Sequence, residues 1–445
     1  MFESFKPPSV WKVIPMKKRA YRSVSVQSVK AECFLDEFQR FGGSVGIDVG
    51  KESFLVSLRY GNDRFEQPWK VKSIQEMPVL VRVLQALHAI KPLLIGMEST
   101  GTYGDALRQA LTAAGLDVRR VNNKASSDYA EVFDGVNSQH DGKDAAVIAE
   151  LVSIGKSQPW RWEAPSQADE ELCQSVEWLD IHQRQEMQWL GRIEAQLARH
   201  WPEATHWLAL GSATLLRILA QYGGPAALAA DPRATWQLKR WGGSRLSDET
   251  IAGLLASAEE TVGVQMSSLA SEQLKKYALE AQRNRGEQAL TKKTLERLAA
   301  ADPVLKAQAE VVGVNTACVM QAALGDVRDY NSGPAYRKAM GLNLKERSSG
   351  KYQGQLRITK RGPARVRRWL YLAALRECQK PGVKEWFEDK KQRENGRAGK
   401  ALVAIMRKLA LALYQVGARG AKYESHKLFP GKPAARLQPP RTANG

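Results

Sequence analysis

Four carboxylates stand in settings where a soluble chain seldom leaves one without a task. Asp48 lies in VGIDV, an otherwise apolar run followed at once by Gly50 and Lys51. Pointed inward without a partner, it would cost several kcal/mol. Glu98 closes the apolar run LLIGME just before STGTYG, and at the edge of an open α/β sheet strand ends are where ligands collect. Asp141 and Asp144 open GKDAAVIAEL three residues apart, so a helix there puts both on one face. Two carboxylates about 5 Å apart in an effective dielectric of about 20 repel by roughly 3 kcal/mol, which cations or protons relieve. An all-oxygen set suits Mg2+ or Mn2+, and two such ions about 4 Å apart clamp both the attacking and the leaving oxygen of an in-line phosphoryl transfer. Singly, Asp141 also fits a helix N-cap and Glu98 a surface carboxylate. As a set on strand, strand end and helix, the four point to metal binding.

The other chemistry is cationic. From Lys345 to Lys408, 19 Lys and Arg stand against 6 Asp and Glu, so most of the formal charge of +19 sits in one stretch. Tyr352, Trp369, Tyr371 and Trp386 lie among these charges, a mixture that grips phosphates while stacking on bases or sugars. A solvated basic face is the plainer alternative. Ser348 and Ser349 precede Gly350 in the same stretch, and from the residues alone Ser-Ser-Gly is first a turn. A serine nucleophile needs a base or a metal; His426, alone near the tail, offers no Ser-His arrangement.

These residues need scaffolding. Apolar alternation at Val45, Ile47 and Val49, then at Phe54, Val56 and Leu58, predicts two strands. A turn at Gly61 to Asp63 leads to a third strand around Arg64 to Val71, completing an antiparallel meander. A helix over 77–90, the strand LLIGME, a helix over 105–114 and the strand LDVRRV make residues 44–160 an α/β domain. Residues 1–43 mix Pro, Ser and Lys and read as a loosely ordered leader. Over 161–303 strands all but vanish. Leu172, Val176, Leu179, Met187, Leu190, Ile193 and Leu197 mark a long amphipathic helix ending near Pro202, and the spacing returns from Leu269 to Leu298. The two stretches form an antiparallel bundle pair or part of an oligomer's coiled coil, with short helices between them. Residues 304–428 are mostly helical, and 429–445 form a basic, Pro-rich tail.

Composition bounds the rest. A length of 445 residues, 43% of them apolar and 25% charged, suits two or three domains with real cores and excludes a disordered polycation. No run approaches the roughly 20 apolar residues of a membrane span, and the start lacks the apolar core of a secretory signal, so a cytoplasmic protein without a membrane partner is expected. Cys33, Cys173, Cys318 and Cys378 are widely spaced and suggest neither a disulfide framework nor a zinc knuckle.

GIDVGK, MESTGTY and HDGKDAAVIAE, followed by GVNTACVMQAALGD, AYRKAMGL and SSGKYQGQLRITKRGPARVRRWLYLAAL, cover about half the chain. In that order they resemble the DEDD transposases of the insertion-sequence one-ten and eleven-eleven group, relatives of the Piv invertases. The resemblance implies a RuvC-type, ribonuclease H-like domain with Asp48, Glu98, Asp141 and Asp144 as its metal tetrad, a helical coiled-coil-like middle, and a C-terminal serine transposase domain. It further implies that Ser349 attacks DNA, with Ser348 its neighbour. Arg357, Lys360, Arg361, Arg365, Arg367 and Arg368 would hold the phosphates flanking the cut. Neutralising six phosphates would make binding fall with roughly the fifth power of salt. The implied activity is excision and insertion of a mobile element in the bacterial cytoplasm, at the nucleoid. Its partners would be donor and target DNA, a bridge-type guide RNA and further copies of the chain, as a tetramer. GVNT, where relatives show G-I-G, the long leader and the enlarged middle depart from the pattern. The competing expectations are a RuvC-type structure-selective nuclease using water and a nucleic-acid-binding protein with a dead centre. GIDVGK is also similar to the phosphate loop of actin-like sugar kinases, without a second phosphate loop beside it.

Overall fold

The alternating runs become a mixed sheet in the computed structural model, which describes residues 22–72, 74–99, 101–135, 141–346, 348–349, 352–354 and 356–430. The chain divides into two compact units, Met1–Ala164 and Pro165–Gly445. The first carries strands β1 (Val24–Ser25), β2 (Gly43–Val49), β3 (Phe54–Tyr60), β4 (Trp69–Val71), β5 (Leu94–Glu98), β6 (Asp117–Val121) and β7 (Ser157–Pro159), ordered β1-β4-β3-β2-β5-β6-β7. β2, β3 and β4 form the expected antiparallel meander, and β5 and β6 lie parallel to β2. Helices α1 (Glu32–Phe41), α2 (Met77–Ile90), α3 (Asp105–Ala113), α4 (Asn123–Phe133) and α5 (Asp141–Ser153) complete the unit.

Two expectations change. The third strand is shorter than 64–71, because Phe65 makes only an isolated bridge to Arg59 and Pro68 brings no N–H to a ladder. Residues 22–43 are not a loose leader: β1 pairs with β4 at the sheet edge, and Val26 and Phe38 are fully buried in the core under the meander.

In the second unit, α6 (Gln167–His200) and α12 (Ser268–Ala301) run antiparallel, with α7–α11 between them (Ala204–Trp207, Ala213–Tyr222, Pro225–Ala229, Ala234–Gly242 and Asp248–Glu259). The pair joins two apolar cores. Leu172, Val176 and Leu179 meet Leu295, Leu298 and Ala299 at one end, while Ile193 and Leu197 meet Leu274, Ala278 and Ala281 at the other. Between them lies a polar belt. His182 Nδ1 contacts Asn284 Oδ1 at 3.1 Å, and Glu186 accepts from Arg285 Nη2 at 2.6 Å and from Gln288 Nε2 at 2.5 Å. Asn284 and Gln288 are buried, so the belt fixes one register where apolar contacts would tolerate several.

The remainder of the unit comprises α13 (Pro303–Val312), α14 (Val314–Leu324), α15 (Gly333–Ala339), strands β8 (Leu344–Lys345), β9 (Ser348–Ser349), β10 (Tyr352–Gln353) and β11 (Arg357–Ile358), α16 (Ala364–Glu377), α17 (Pro381–Arg393), α18 (Ala398–Arg419) and α19 (Ser425–Leu428). Among the described helices α18 alone is long and apolar enough to cross a membrane. Ile405, Leu409, Ala410 and Leu413 of that helix are instead fully buried in the protein core. All four cysteines are free thiols.

Candidate active site

Position in the first unit is set by two glycines. Gly46 and Gly96 face each other in register on β2 and β5, and α5 settles into the trough they leave. A Cβ on Gly46 would strike the Ala145 carbonyl oxygen and the Ala149 amide, and one on Gly96 would lie 2.9 Å from Ile148 Cγ2 and closer still to Val152. Ser44 Oγ donates to Ala149 O at 2.8 Å, and Arg59 of β3 is ion-paired with Glu150. Lys143, itself buried, reaches Asp134 Oδ1 at 2.7 Å and ties the start of α5 to the end of α4.

Strand side chains alternate, so Asp48 and Glu98 lie on the face of Gly46 and Gly96, two residues further along. That brings both to the first turn of α5, where Asp141 and Asp144 stand. Burial, and then the charges of Asp144, Glu98 and Asp141, push the Asp48 carboxyl up to about 6 against the lowering effect of the Val49 amide. The charges of Asp144, Glu98 and Asp141 therefore all act on Asp48. Among the described residues, no three His, Cys, Asp or Glu side chains are gathered within one metal-binding shell. The donor set nevertheless fits a hard divalent cation in kind: all oxygen, four carboxylates, and one held high by burial and then by its neighbours. The repeated G-x-[DE] of Gly46-Ile47-Asp48 and Gly96-Met97-Glu98 is a signal the sequence carries for this packing, and the carboxylate reasoning alone missed it.

A pH dependence follows. The folded pKa of Asp48 lies above that of an unfolded aspartate, so the folded chain keeps a proton that the unfolded chain releases. Without divalent cation, stability contributed by this group should fall as pH rises from about 4 to about 6. A cation must displace that proton, so the rise in melting temperature caused by Mn2+ should grow from pH 5 to pH 7 and then level off. A Mn2+ effect equal at pH 5 and pH 7 would count against Asp48 as a ligand.

In the second unit, Ser349 ends β9, opposite Tyr352 in an antiparallel pair, and a second antiparallel pair sets Lys345 opposite Arg357 and Leu344 opposite Ile358. Residues 350 and 351, the expected turn after Ser349, lie outside the described residues. The chain leaves the second pair through Lys360, whose φ of 56° is rare for a side chain of its size, held by its amide donating to Gly341 O at 3.0 Å. Arg357, Lys360 and Arg361 are exposed and have no ion-pair partner among the described residues.

The other three cations expected to grip phosphates are engaged within the protein. Arg365 Nε and Arg368 Nη2 hold the two oxygens of Asp180 at 2.5 and 3.0 Å, and Arg367 Nη1 donates to Gly362 O at 2.6 Å. Trp369, expected among the stacking aromatics, is buried with its Nε1 3.4 Å from Asp180. Asp180 thus ties α6 to α16. Asp180→Ala would take the acceptor from half-exposed Arg365 and Arg368, the latter keeping Gln183 Oε1 at 3.0 Å, and from the buried Trp369 indole N–H, and should cost about 2 kcal/mol in urea unfolding; a change under about 0.5 kcal/mol would mean that solvent replaces the carboxylate. GVNT forms the Gly313 turn between α13 and α14, where Arg376 Nη2 donates to Val312 O at 2.7 Å and to Thr316 Oγ1 at 3.3 Å.

Comparison with known proteins gives two matches in the same order as these units. Residues 45–202 match the family model of the IS110 DEDD transposase, and residues 307–388 match that of the transposase IS116/IS110/IS902 family. The two matches together cover more than half of the chain. No curated protein matches it.

Proposed function

The chain belongs to the IS110 family of DEDD transposases, enzymes that act on DNA, and from that premise we propose a serine recombinase that cuts and rejoins donor and target DNA for an insertion sequence. What carries the reading is the convergence of Glu98, Asp141 and Asp144 on Asp48. Metal-dependent chemistry comes with the family; on this reading Asp48, Glu98, Asp141 and Asp144 hold one or two Mg2+ or Mn2+ ions, which when bound neutralise phosphate charge and favour an ionised hydroxyl.

The Ser349 oxygen forms a bond to phosphorus while one bond from that phosphorus to a deoxyribose oxygen breaks. The serine proton leaves, and the departing oxygen takes one up, so atoms and charge balance. Bond energy stays in the phosphoserine ester, and rejoining needs no nucleotide cofactor. Arg357, Lys360 and Arg361 hold neighbouring phosphates. Tetrad and serine belong to separate compact units, and on this reading they meet on DNA, in one chain or between chains of a tetramer. A bridge-type guide RNA selects donor and target in the bacterial cytoplasm.

The test is to co-express the chain with its flanking element DNA, purify it with bound RNA, add Mg2+ with donor and target, and look for a covalent protein–DNA adduct. An adduct should map to Ser349 and vanish in Ser349→Ala. Equal cleavage by both proteins with no adduct would identify a water-using nuclease and overturn the proposal. Ribonuclease treatment should abolish joining if RNA guides it.

A further inference from the structure

Helices α15, α17 and α18 line an open pocket of about 280 Å³ that includes Arg337, Lys390, Arg407, Lys408 and Trp386, and no carboxylate lines it. Two of these cations are occupied: Lys390 Nζ donates to Glu394 Oε1 at 2.6 Å, and Lys408 Nζ donates to Leu428 O at 2.7 Å beneath the Trp386 ring. The arginines differ. The Nε of Arg337 and that of Arg407 are each buried without a hydrogen-bond partner among the described residues, and neither side chain has an ion-pair partner there.

Leaving a buried donor unsatisfied is costly, and two guanidiniums lining one pocket add repulsion. Burial, followed by the Arg337 charge, pushes the Arg407 guanidinium below its ordinary value, so the two groups sense each other. An anion between them would supply acceptors to both and cancel the repulsion. The planar fork of an arginine matches the paired oxygens of a phosphate bidentately.

The surroundings suggest where that phosphate comes from. The pocket shares Lys390, Ala404 and Arg407 with a cleft of about 1100 Å³ between the β8/β11 strands and α17–α18, where Lys345, Arg357, Lys360, Arg397 and Lys400 outnumber Glu346 and Glu394. Arg407 lines both, so the arginine pair lies at the edge of those cations. AYRKAMGL, which the serine and tetrad leave unexplained, supplies Arg337.

We propose that Arg337 and Arg407 form a phosphate-binding site that clamps one backbone phosphate of a nucleic-acid strand lying in the basic cleft. That the phosphate belongs to nucleic acid rests on the function proposed above; that the pair takes a phosphate does not.

The test measures binding of labelled 12-nucleotide single-stranded DNA and RNA to the full chain by fluorescence anisotropy across a range of salt. Arg337→Gln and Arg407→Gln should each weaken binding about tenfold and lower the salt slope by about one. Because one phosphate bridges both groups, the double variant should lose less than the product of the single effects. Arg407→Lys, which keeps charge but not the fork, should recover part of the loss. Without nucleic acid, each Gln variant should melt at or above the wild-type temperature, and inorganic phosphate should raise the melting temperature of the wild type more than that of either variant. Unchanged affinity and slope for both oligonucleotides would overturn the site, as would lower melting of both Gln variants, which would make the pair a structural strut. If the variants lose phosphate and oligonucleotide binding while the wild type forms no Ser349 adduct, the site stands and the recombinase reading fails; an adduct with unchanged binding gives the reverse.

Discussion

Asp48→Ala is expected to lower DNA strand cleavage by about a thousandfold or more while leaving the fold intact. Asp48 is the member of the tetrad that the other three act upon. On the proposed function, its loss removes an oxygen donor from a site whose cation would supply several kcal/mol of transition-state stabilisation, at about 1.4 kcal/mol per tenfold in rate. A variant that merely unfolds would mimic this, but the physics separates the two cases. Asp48 is raised because its charge is unwelcome, so removing it should leave the cation-free chain as stable as the wild type or more so at neutral pH. The expected signature is lost cleavage, a melting temperature equal or higher without divalent cation, and no further rise on adding Mn2+. Cleavage within tenfold of wild type would sink the metal tetrad.

Gly46→Ala should lose both stability and cleavage, although it touches no carboxylate. The added methyl meets the backbone of α5, at the Ala145 oxygen and the Ala149 amide, and backbone in a helix cannot rotate aside. The helix must lift, at a cost of about 3 kcal/mol, or a fall of about 10 °C in melting temperature for a unit of this size. Lifting α5 carries Asp141 and Asp144 away from Asp48. Gly96→Ala meets the Val152 and Ile148 methyl groups instead, which can shift by small rotations, so its effect should be less than half as large. Thermal melts of the two variants side by side decide the matter; equal effects would mean that α5 is not seated by backbone contact at Gly46.

Much of this architecture was legible in the sequence because its signals are local. Val45, Ile47 and Val49 alternate, LLIGME ends on its carboxylate, and the apolar spacing from Leu172 to Leu197 spells one helix, so strands, strand end and long helix stand where expected. The leader helix was also within reach, since Phe34 and Phe38 are one turn apart, but the two-residue strand before it is too short to show a period. What could not be read was long-range pairing. Nothing near Arg365 or Arg368 announces that Asp180, 188 residues from Arg368, takes up their charge. A basic run read as six phosphate contacts thus divides into three cations without an ion-pair partner among the described residues and three held by Asp180 or Gly362. Arg337 and Arg407 fail the same way in reverse: unremarkable in sequence, they are set apart only by what does not reach them.

The antiparallel pair of α6 and α12 has a further meaning as a measure of length and angle. Each helix runs 34 residues, about 50 Å at 1.5 Å per residue, comparable with about fifteen base pairs of duplex at 3.4 Å each. The α7–α11 cluster and the C-terminal core sit at opposite ends of this beam, with the polar belt preventing slippage between its halves. Such a beam has a phase as well as a span. Removing one residue from both helices would shorten it by only about 1.5 Å but turn one end against the other by about 100°, so whatever the α7–α11 cluster touches is coupled to the serine-bearing hairpin by rotation far more strictly than by distance.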